Sequence, residues 1–485
     1  MSEFRQMSGR QTDSRWSGRS VWLTCLGVTL FFLGVYLLLS GDGFYSTDGE
    51  TMLRTTWAIV DRGRLSVPCD PGQPSAIEGR AGQCYSRYGL GQPLAAVPLY
   101  LLGKGVWTAF PALDYGEVLR FTMARFNQFV MALVCGMICA VGMLLYRSRG
   151  LAVGLALLFG LGTFALPYSR FYFSEPLATL GFLVAVYGVF RYRFDPGASW
   201  GTLALGGAGL GLAVLTRTAS ALLLPLFIAY VWWIAIPAAR LEKAGPSIRI
   251  RVMRVLCFLG PVIALSAVQA GYQYWAFGDV LTGGYQGEGW QTPLLLGLYG
   301  LLFSPGKSLL LFVPVALLAP WGWARWLIAG RRKEALLFIA SFVCWLLFHA
   351  GWWTWHGGWS FGPRFMIPML PFLILPLGSV WQQGKRARLA ILVLALLGFW
   401  VQVAGVLVDF NDYMLWVNDE DKILFDLAYL PILGHWRMLM NGAPPDLAVW
   451  SMPRWGRAAW LALCGVLIVA GGYLLRTRWR VEHLS

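Results

Sequence analysis

Tyr45-Ser46-Thr47-Asp48-Gly49-Glu50 sets two carboxylates two positions apart just after the first long apolar run of a 485-residue chain. Carboxylates so close to hydrocarbon are costly and mark a functional site by default. A basic, tyrosine-rich stretch follows at Tyr85-Ser86-Arg87-Tyr88. Other charged residues stand at the ends of apolar runs: Glu175 in Phe173-Ser174-Glu175-Pro176, Arg217 in Leu215-Thr216-Arg217-Thr218, Lys307 in Leu302-Phe303-Ser304-Pro305-Gly306-Lys307, and Arg364 in Ser360-Phe361-Gly362-Pro363-Arg364-Phe365. A carboxylate can take a proton, and a guanidinium holds an anion in a planar fork. Together they suit transfer chemistry on a charged substrate at a membrane surface.

The elements that must position these residues are membrane helices. The chain is 57% hydrophobic and 13% charged, about half the charge of a soluble protein. Its 25 tryptophans and 57 glycines fit interfacial anchors and close helix contacts. The net charge of +15 comes from short basic clusters between apolar runs, a topological pattern rather than a nucleic-acid surface. Apolar stretches long enough to cross lie near 20–40, 122–146, 150–167, 175–190, 200–216, 219–239, 253–272, 307–329, 334–353, 365–381, 389–408 and 457–475. Every second loop between these twelve is basic, from Arg5, Arg10, Arg15 and Arg19 through Arg240 and Lys243 to Arg476, Arg478 and Arg480. That alternation places both termini in the cytoplasm. Segment 92–111 would invert it, so it is read as a helix in the outer interface. The first run lacks a small-x-small cleavage site and is expected to stay as an anchor.

The reading is therefore an all-α polytopic membrane protein, one transmembrane domain over 1–485, with long outer loops at 41–121, 273–306 and 409–456. Amphipathic stretches within the loops, Glu50–Val60 and Ile423–Leu430, suit helices lying flat on the membrane. The two halves carry no clear repeat, which counts against transporter plans built on duplicated bundles. Six of the eight cysteines fall in apolar runs, and Cys69 and Cys84 share the first outer loop. An oxidising compartment would let that pair form a disulfide; two free thiols are the other reading. No His or carboxylate spacing marks a metal site.

In order, Asp48-Gly49-Glu50, Arg64-Leu65-Ser66-Val67-Pro68 and Tyr85-Ser86-Arg87-Tyr88-Gly89-Leu90-Gly91-Gln92-Pro93-Leu94 resemble the first outer loop of GT-C glycosyltransferases. The resemblance is to the protein mannosyltransferase and aminoarabinose transferase branch, which uses polyprenyl-phosphate sugars. The stretches around Glu175, Arg217, Lys307 and Arg364 are similar to bacterial members of this group. One departure is Asp-Gly-Glu where many relatives have adjacent Asp-Glu. The resemblance implies a GT-C-like fold with interfacial helices in the outer loops. It also implies transfer from a polyprenyl-phosphate donor to a glycan, lipid or protein acceptor, by inverting single displacement on the outer face of a bacterial cytoplasmic membrane.

By that resemblance Asp48 is the base, and Glu50 and Glu175 are further catalytic candidates that would position the acceptor or hold a divalent cation; each also suits a helix N-terminus, Asp48 as its cap. Arg87, Arg217, Lys307 and Arg364 are the phosphate ligands, with structural carboxylates or lipid headgroups as alternative partners. Tyr88, Tyr285, His356 and Trp359 are the aromatic candidates for the sugar or acceptor, although tryptophans here also suit an interfacial belt. Some relatives need a divalent cation and others do not, so the cofactor stays open. Two other classes remain: a polymerase or ligase using a lipid-diphosphate glycan, and a transporter or lipid flippase.

Overall fold

The computed structural model describes residues 18–234, 247–281, 283–285 and 287–483. Arg5, Arg10, Arg15, Arg240, Lys243 and the end of the 219–239 stretch lie outside the described residues. Within them the chain is helical throughout, apart from one small sheet. In chain order the helices used below are α1 (Gly18–Leu38), α2 (Thr47–Arg62), α3 (Val97–Ala109), α4 (Tyr115–Met123), α5 (Phe126–Tyr146), α6 (Arg149–Gly162), α7 (Glu175–Phe194), α8 (Trp200–Thr216), α9 (Leu224–Trp233), α10 (Ile248–Phe277), α11 (Arg332–Gly351), α12 (Lys385–Leu407), α13 (Phe410–Val417), α14 (Glu420–Phe425) and α15 (Arg454–His483).

Among the described residues seven helical segments are long and apolar enough to cross a membrane: Ser20–Leu38, Tyr115–Tyr146, Glu175–Phe194, Ile248–Phe277, Arg332–Gly351, Lys385–Leu407 and Arg454–Arg476. The other five apolar stretches form shorter helices. Proline explains three of them, because it lacks an N–H and clashes with the preceding turn. The 219–239 stretch is a 3-10 turn followed by α9, with Pro225 in the first turn of α9. The 307–329 stretch breaks at Pro314 and Pro320. The 365–381 stretch runs as three short pieces through Pro368, Pro371 and Pro376. Broken helices are tolerated at membrane depth when protein surrounds them. Met366, Ile367, Met369, Leu370 and Phe372 are accordingly buried.

α7 and α8 pack closely because small residues line their seam: a Cβ added at Gly188 would sit 2.5 Å from the backbone N of Gly206. Segment 92–111 becomes a short turn and the 13-residue α3, about 20 Å long at 1.5 Å per residue and too short for a hydrocarbon core of about 30 Å. It lies against α4 with Leu102 and Phe110 57% and 62% exposed. The amphipathic run at Ile423–Leu430 is broken at Asp426, which ends α14 and caps a 3-10 turn.

The first loop also holds a feature that the sequence reading did not anticipate. Ser66–Val67, Ala76–Glu78 and Cys84–Ser86 form strands β1, β2 and β3 of an antiparallel sheet in the order β1-β3-β2. Val67 stands opposite Cys84, and a Cys69–Cys84 disulfide with Cα atoms 5.2 Å apart closes the hairpin.

Candidate functional site

Everything at the site begins with the first turn of α2. Ser46, in extended backbone, accepts from Gly49 N at 3.1 Å and is the N-cap. The capping role open to Asp48 therefore belongs to Ser46, and the Asp48 carboxylate is directed elsewhere. Its Oδ2 accepts from Arg364 Nη2 at 3.1 Å, and its Oδ1 accepts from Ser75 Oγ at 2.9 Å. Tyr88 OH lies 3.2 Å from the same Ser75 oxygen. Asp48 is 17% and Arg364 13% exposed, so the pair is largely removed from water. Burial pushes the Asp48 carboxyl up, but Arg364 and hydrogen bonds from Tyr88 and Ser75 outweigh it. They leave the carboxyl below its ordinary value.

Three other parts of the chain converge on this pair. Glu175, the first residue of α7, accepts from Arg217 Nη1 at 2.7 Å, and Arg364 Nε lies 3.8 Å from the same oxygen. The second oxygen of Glu175 is buried without a hydrogen-bond partner. Arg217 follows the last turn of α8, and Gly91 lets the Tyr88–Gly91 segment lie against that turn; a Cβ there would meet Thr216 Oγ1 at 2.2 Å. Arg87 pairs with Glu288, and its guanidinium stands 4.3 Å from the Tyr285 ring centre. Arg364 is delivered by the Gly362-Pro363 turn, with Gly362 at φ +74°, and its guanidinium stands 4.3 Å from the Phe173 ring centre. Tyr285 lies within electrostatic reach of Arg87, Arg217 and Asp48.

Lys307 completes the group. Its ammonium is buried and donates to Gly358 O at 2.9 Å, Ser360 O at 2.6 Å and Ser360 Oγ at 3.0 Å. Among the described residues no carboxylate lies within 4 Å of it. Three acids (Asp48, Glu175, Glu288) thus face three guanidiniums (Arg87, Arg217, Arg364), and Lys307 stands within electrostatic reach of Arg364 and Glu420. Guanidiniums gathered in this way suit an anion.

Not every candidate joins this cluster. Glu50 is two residues from Asp48, about 200° around the helix, and faces the other way. Arg120 grips it through two contacts of 2.7 Å and Arg54 adds one of 2.9 Å. Burial pushes the Glu50 carboxyl up, and the two arginines more than offset that. Glu50 borders a cavity of about 580 Å³ also lined by Phe44, Tyr45, Gln73, Glu117 and Phe121. A polar cavity therefore opens on the Glu50 side of α2, away from the Asp48 cluster. His356 belongs to the Arg364 loop but turns to Glu420 at 3.1 Å, and Trp359 is 47% exposed.

Ser75, Glu288, Arg54 and Arg120 were not singled out as site residues by sequence. Arg54 alone carried a signal, four residues after Glu50 on a helix-like run. Ser75 reaches Asp48 because it sits inside the loop closed by Cys69 and Cys84. The same loop is tied to α2 a second time by Asp70, 3.1 Å from Arg54. Asp48 and Glu175 are the carboxylates that could share a divalent cation here. Each already faces a guanidinium, and among the described residues no three His, Cys, Asp or Glu side chains gather to hold a metal.

No family model matches the chain, and no curated protein matches it. Among solved structures it is similar to ArnT from Cupriavidus metallidurans bound to undecaprenyl phosphate. The match has 16% identity over 93% of this chain and 78% of that one, with a TM-score of 0.47. The apo state of the same protein matches at 14% identity and a TM-score of 0.45. The Archaeoglobus fulgidus oligosaccharyltransferase tethered with an acceptor peptide matches at 14% identity over 94% of this chain and 55% of that one, with a TM-score of 0.44. What the cluster can do follows from its own side chains.

Proposed function

We propose that this chain is a membrane glycosyltransferase of the GT-C kind, moving a sugar from a polyprenyl-phosphate donor to an acceptor on the outer face of the cytoplasmic membrane. The observation that carries the reading is the shared cluster: an ionised, buried carboxylate together with three guanidiniums and the Lys307 side chain. Such a site can hold a phosphate and take a proton within a few ångströms.

In the proposed step the acceptor oxygen attacks the anomeric carbon. Its proton passes to Asp48, the bond from that carbon to the phosphate oxygen breaks, and polyprenyl phosphate leaves with the electron pair. Attack opposite the leaving group inverts the anomeric centre. Arg87, Arg217, Lys307 and Arg364 stabilise the leaving phosphate, and Glu175 fixes Arg217 and Arg364. A donor phosphate that draws Arg364 toward itself weakens the contact that holds Asp48 acidic, so donor binding would raise the basicity of the base. The acceptor enters through the aromatic and charged cavity beside Glu50 and reaches Asp48 and the donor around the Ser46–Thr47 edge that lines it. No step is routed through a metal.

The test uses the full-length protein in detergent with a radiolabelled polyprenyl-phosphate sugar and membrane lipid extract as acceptor. Asp48→Asn is expected to abolish transfer while keeping the wild-type melting temperature within a few degrees. Full activity in that variant would refute the assignment of the base.

A further inference from the structure

At the far end of the molecule from Asp48, α1, α5 and α7 leave a groove of about 770 Å³ between them. It runs along α5 from Leu133 to Arg147, about 21 Å at 1.5 Å per residue, enough for the depth of one leaflet, about 15 Å of hydrocarbon. Its walls include Trp22, Leu133 and Met137, and two guanidiniums, Arg147 and Arg191, stand at its mouth. Arg191 is shared with Asp195 at 3.3 Å and with Tyr187 OH at 3.3 Å. Arg147 makes only a 3.5 Å contact to the Phe194 carbonyl, and among the described residues no acid lies within 4 Å of it. Its backbone is left-handed, φ +49°, at the position after α5 where glycine is usual. An arginine stands there despite the strain.

We infer that this groove is a binding site for an anionic glycerophospholipid, with one acyl chain along α1 and α5 and the phosphate on Arg147 and Arg191. Two cations against one acid favour a net negative headgroup over a zwitterion, as in basic pockets between membrane helices. Along α1 the mouth is about 26 Å (Val21 to Leu38 at 1.5 Å per residue) from the Asp48 end. This lipid is therefore separate from the donor.

Native mass spectrometry of the detergent-purified chain, offered phosphatidylglycerol or phosphatidylethanolamine with the same acyl chains, tests the inference. Retained phosphatidylglycerol is expected to exceed phosphatidylethanolamine by about fivefold, the factor one basic residue near a lipid surface contributes. Arg147→Gly with Arg191→Gln should erase that preference. Glycine also relaxes the left-handed backbone, so Arg147→Gly alone serves as the milder variant, with a reduced preference expected. Filling the groove with Ala140→Phe should reduce retention of both lipids. Equal retention of the two lipids by the wild-type chain would overturn the site. So would an unchanged preference in the arginine variants. Displacement of phosphatidylglycerol by undecaprenyl phosphate through the same arginines would overturn the choice of occupant.

Discussion

The Asp48–Arg364 pair makes a measurable claim about both energy and chemistry. At 3.1 Å the attraction is about 5 kcal/mol for an effective dielectric near 20. Desolvation of both groups offsets much of this, and removing one partner of a buried pair costs roughly 3–5 kcal/mol because the other charge is stranded. Arg364→Gln strands Asp48, which keeps Ser75 and Tyr88 as donors, so the lower end, about 3 kcal/mol, is expected. Asp48→Asn strands Arg364 less, since Glu175 stands 3.8 Å from it; about 2 kcal/mol is expected. The double variant removes both charges and should cost about 3 kcal/mol rather than the sum of about 5, a coupling of about 2 kcal/mol. Chemical unfolding in mixed micelles, followed by tryptophan fluorescence, measures all three. A coupling below about 0.5 kcal/mol would show that the pair is not the electrostatic centre argued for here.

pH separates the cases further. In the wild type the Asp48 carboxyl sits below its ordinary value, so its stabilisation is complete above the unfolded value of about 3.9 and is lost only as pH falls through the lower folded value. Stability due to this group should be flat from pH 5 to 8. In Arg364→Gln the principal lowering interaction is gone, only Ser75 and Tyr88 still oppose burial, and the carboxyl is expected to rise. The sign then reverses: stability falls as pH rises from the unfolded toward the raised folded value. The variant should be more stable at pH 5 than at pH 7.5. A variant that is equally stable at both would refute the account of burial against pairing.

Loss of the Cys69–Cys84 bridge, with sequence separation 15, should destabilise the first loop by about 3 kcal/mol through chain entropy, read as faster hydrogen exchange in residues 66–86 when both cysteines are serine. Ser75→Ala removes one donor to Asp48, about 1 kcal/mol; kcat should fall by about fivefold with donor KM unchanged, and its acidic pH limb should move up. A purely structural serine would leave that limb in place. Glu50→Gln should raise the acceptor KM while leaving donor binding alone, as assayed by retention of labelled prenyl phosphate. A change in donor binding of the same size would place Glu50 on the donor side instead.

Much of this site was legible because a charge at the end of an apolar run is rare and therefore informative. Asp48, Glu175, Arg217 and Arg364 all stood out that way, and all four meet in space. Ser75 did not, since a serine in a polar loop is ordinary until a disulfide fixes where the loop folds back. β1, β2 and β3 are two or three residues long, shorter than any alternation that a sequence can display. The prolines at 314, 320, 368 and 371 stand in the sequence, but the apolar length around them is the same as that of an unbroken span. Continuous spans were therefore expected where the chain bends inside protein. His356 and Trp359 were grouped with Arg364 by proximity in sequence. The left-handed turns at Gly357 and Gly358 aim that loop so that the arginine enters the cluster while His356 turns to Glu420 and Trp359 stays exposed.

The spacing of the two acids in the first loop acquires a reason from helix geometry. With adjacent carboxylates, 100° apart on a helix, both would face one compartment and compete for the same arginines. The intervening Gly49 moves the second carboxylate to about 200°, and the two acids acquire separate cations: Arg364 for Asp48, Arg54 and Arg120 for Glu50. Gly49 itself packs against Tyr172 of the segment leading to Glu175, where a Cβ would sit 3.2 Å from both side-chain and backbone atoms. The first turn of α2 therefore works as a partition, with the Asp48 carboxylate on one wall and a polar cavity on the other. A nucleophile entering from the Glu50 side must pass the Ser46–Thr47 edge, which lines that cavity, to reach the anomeric carbon of a donor whose phosphate is held by Arg364. Bulk introduced at Thr47 should then block transfer to the acceptor while donor binding persists, an outcome that a single shared pocket would not produce.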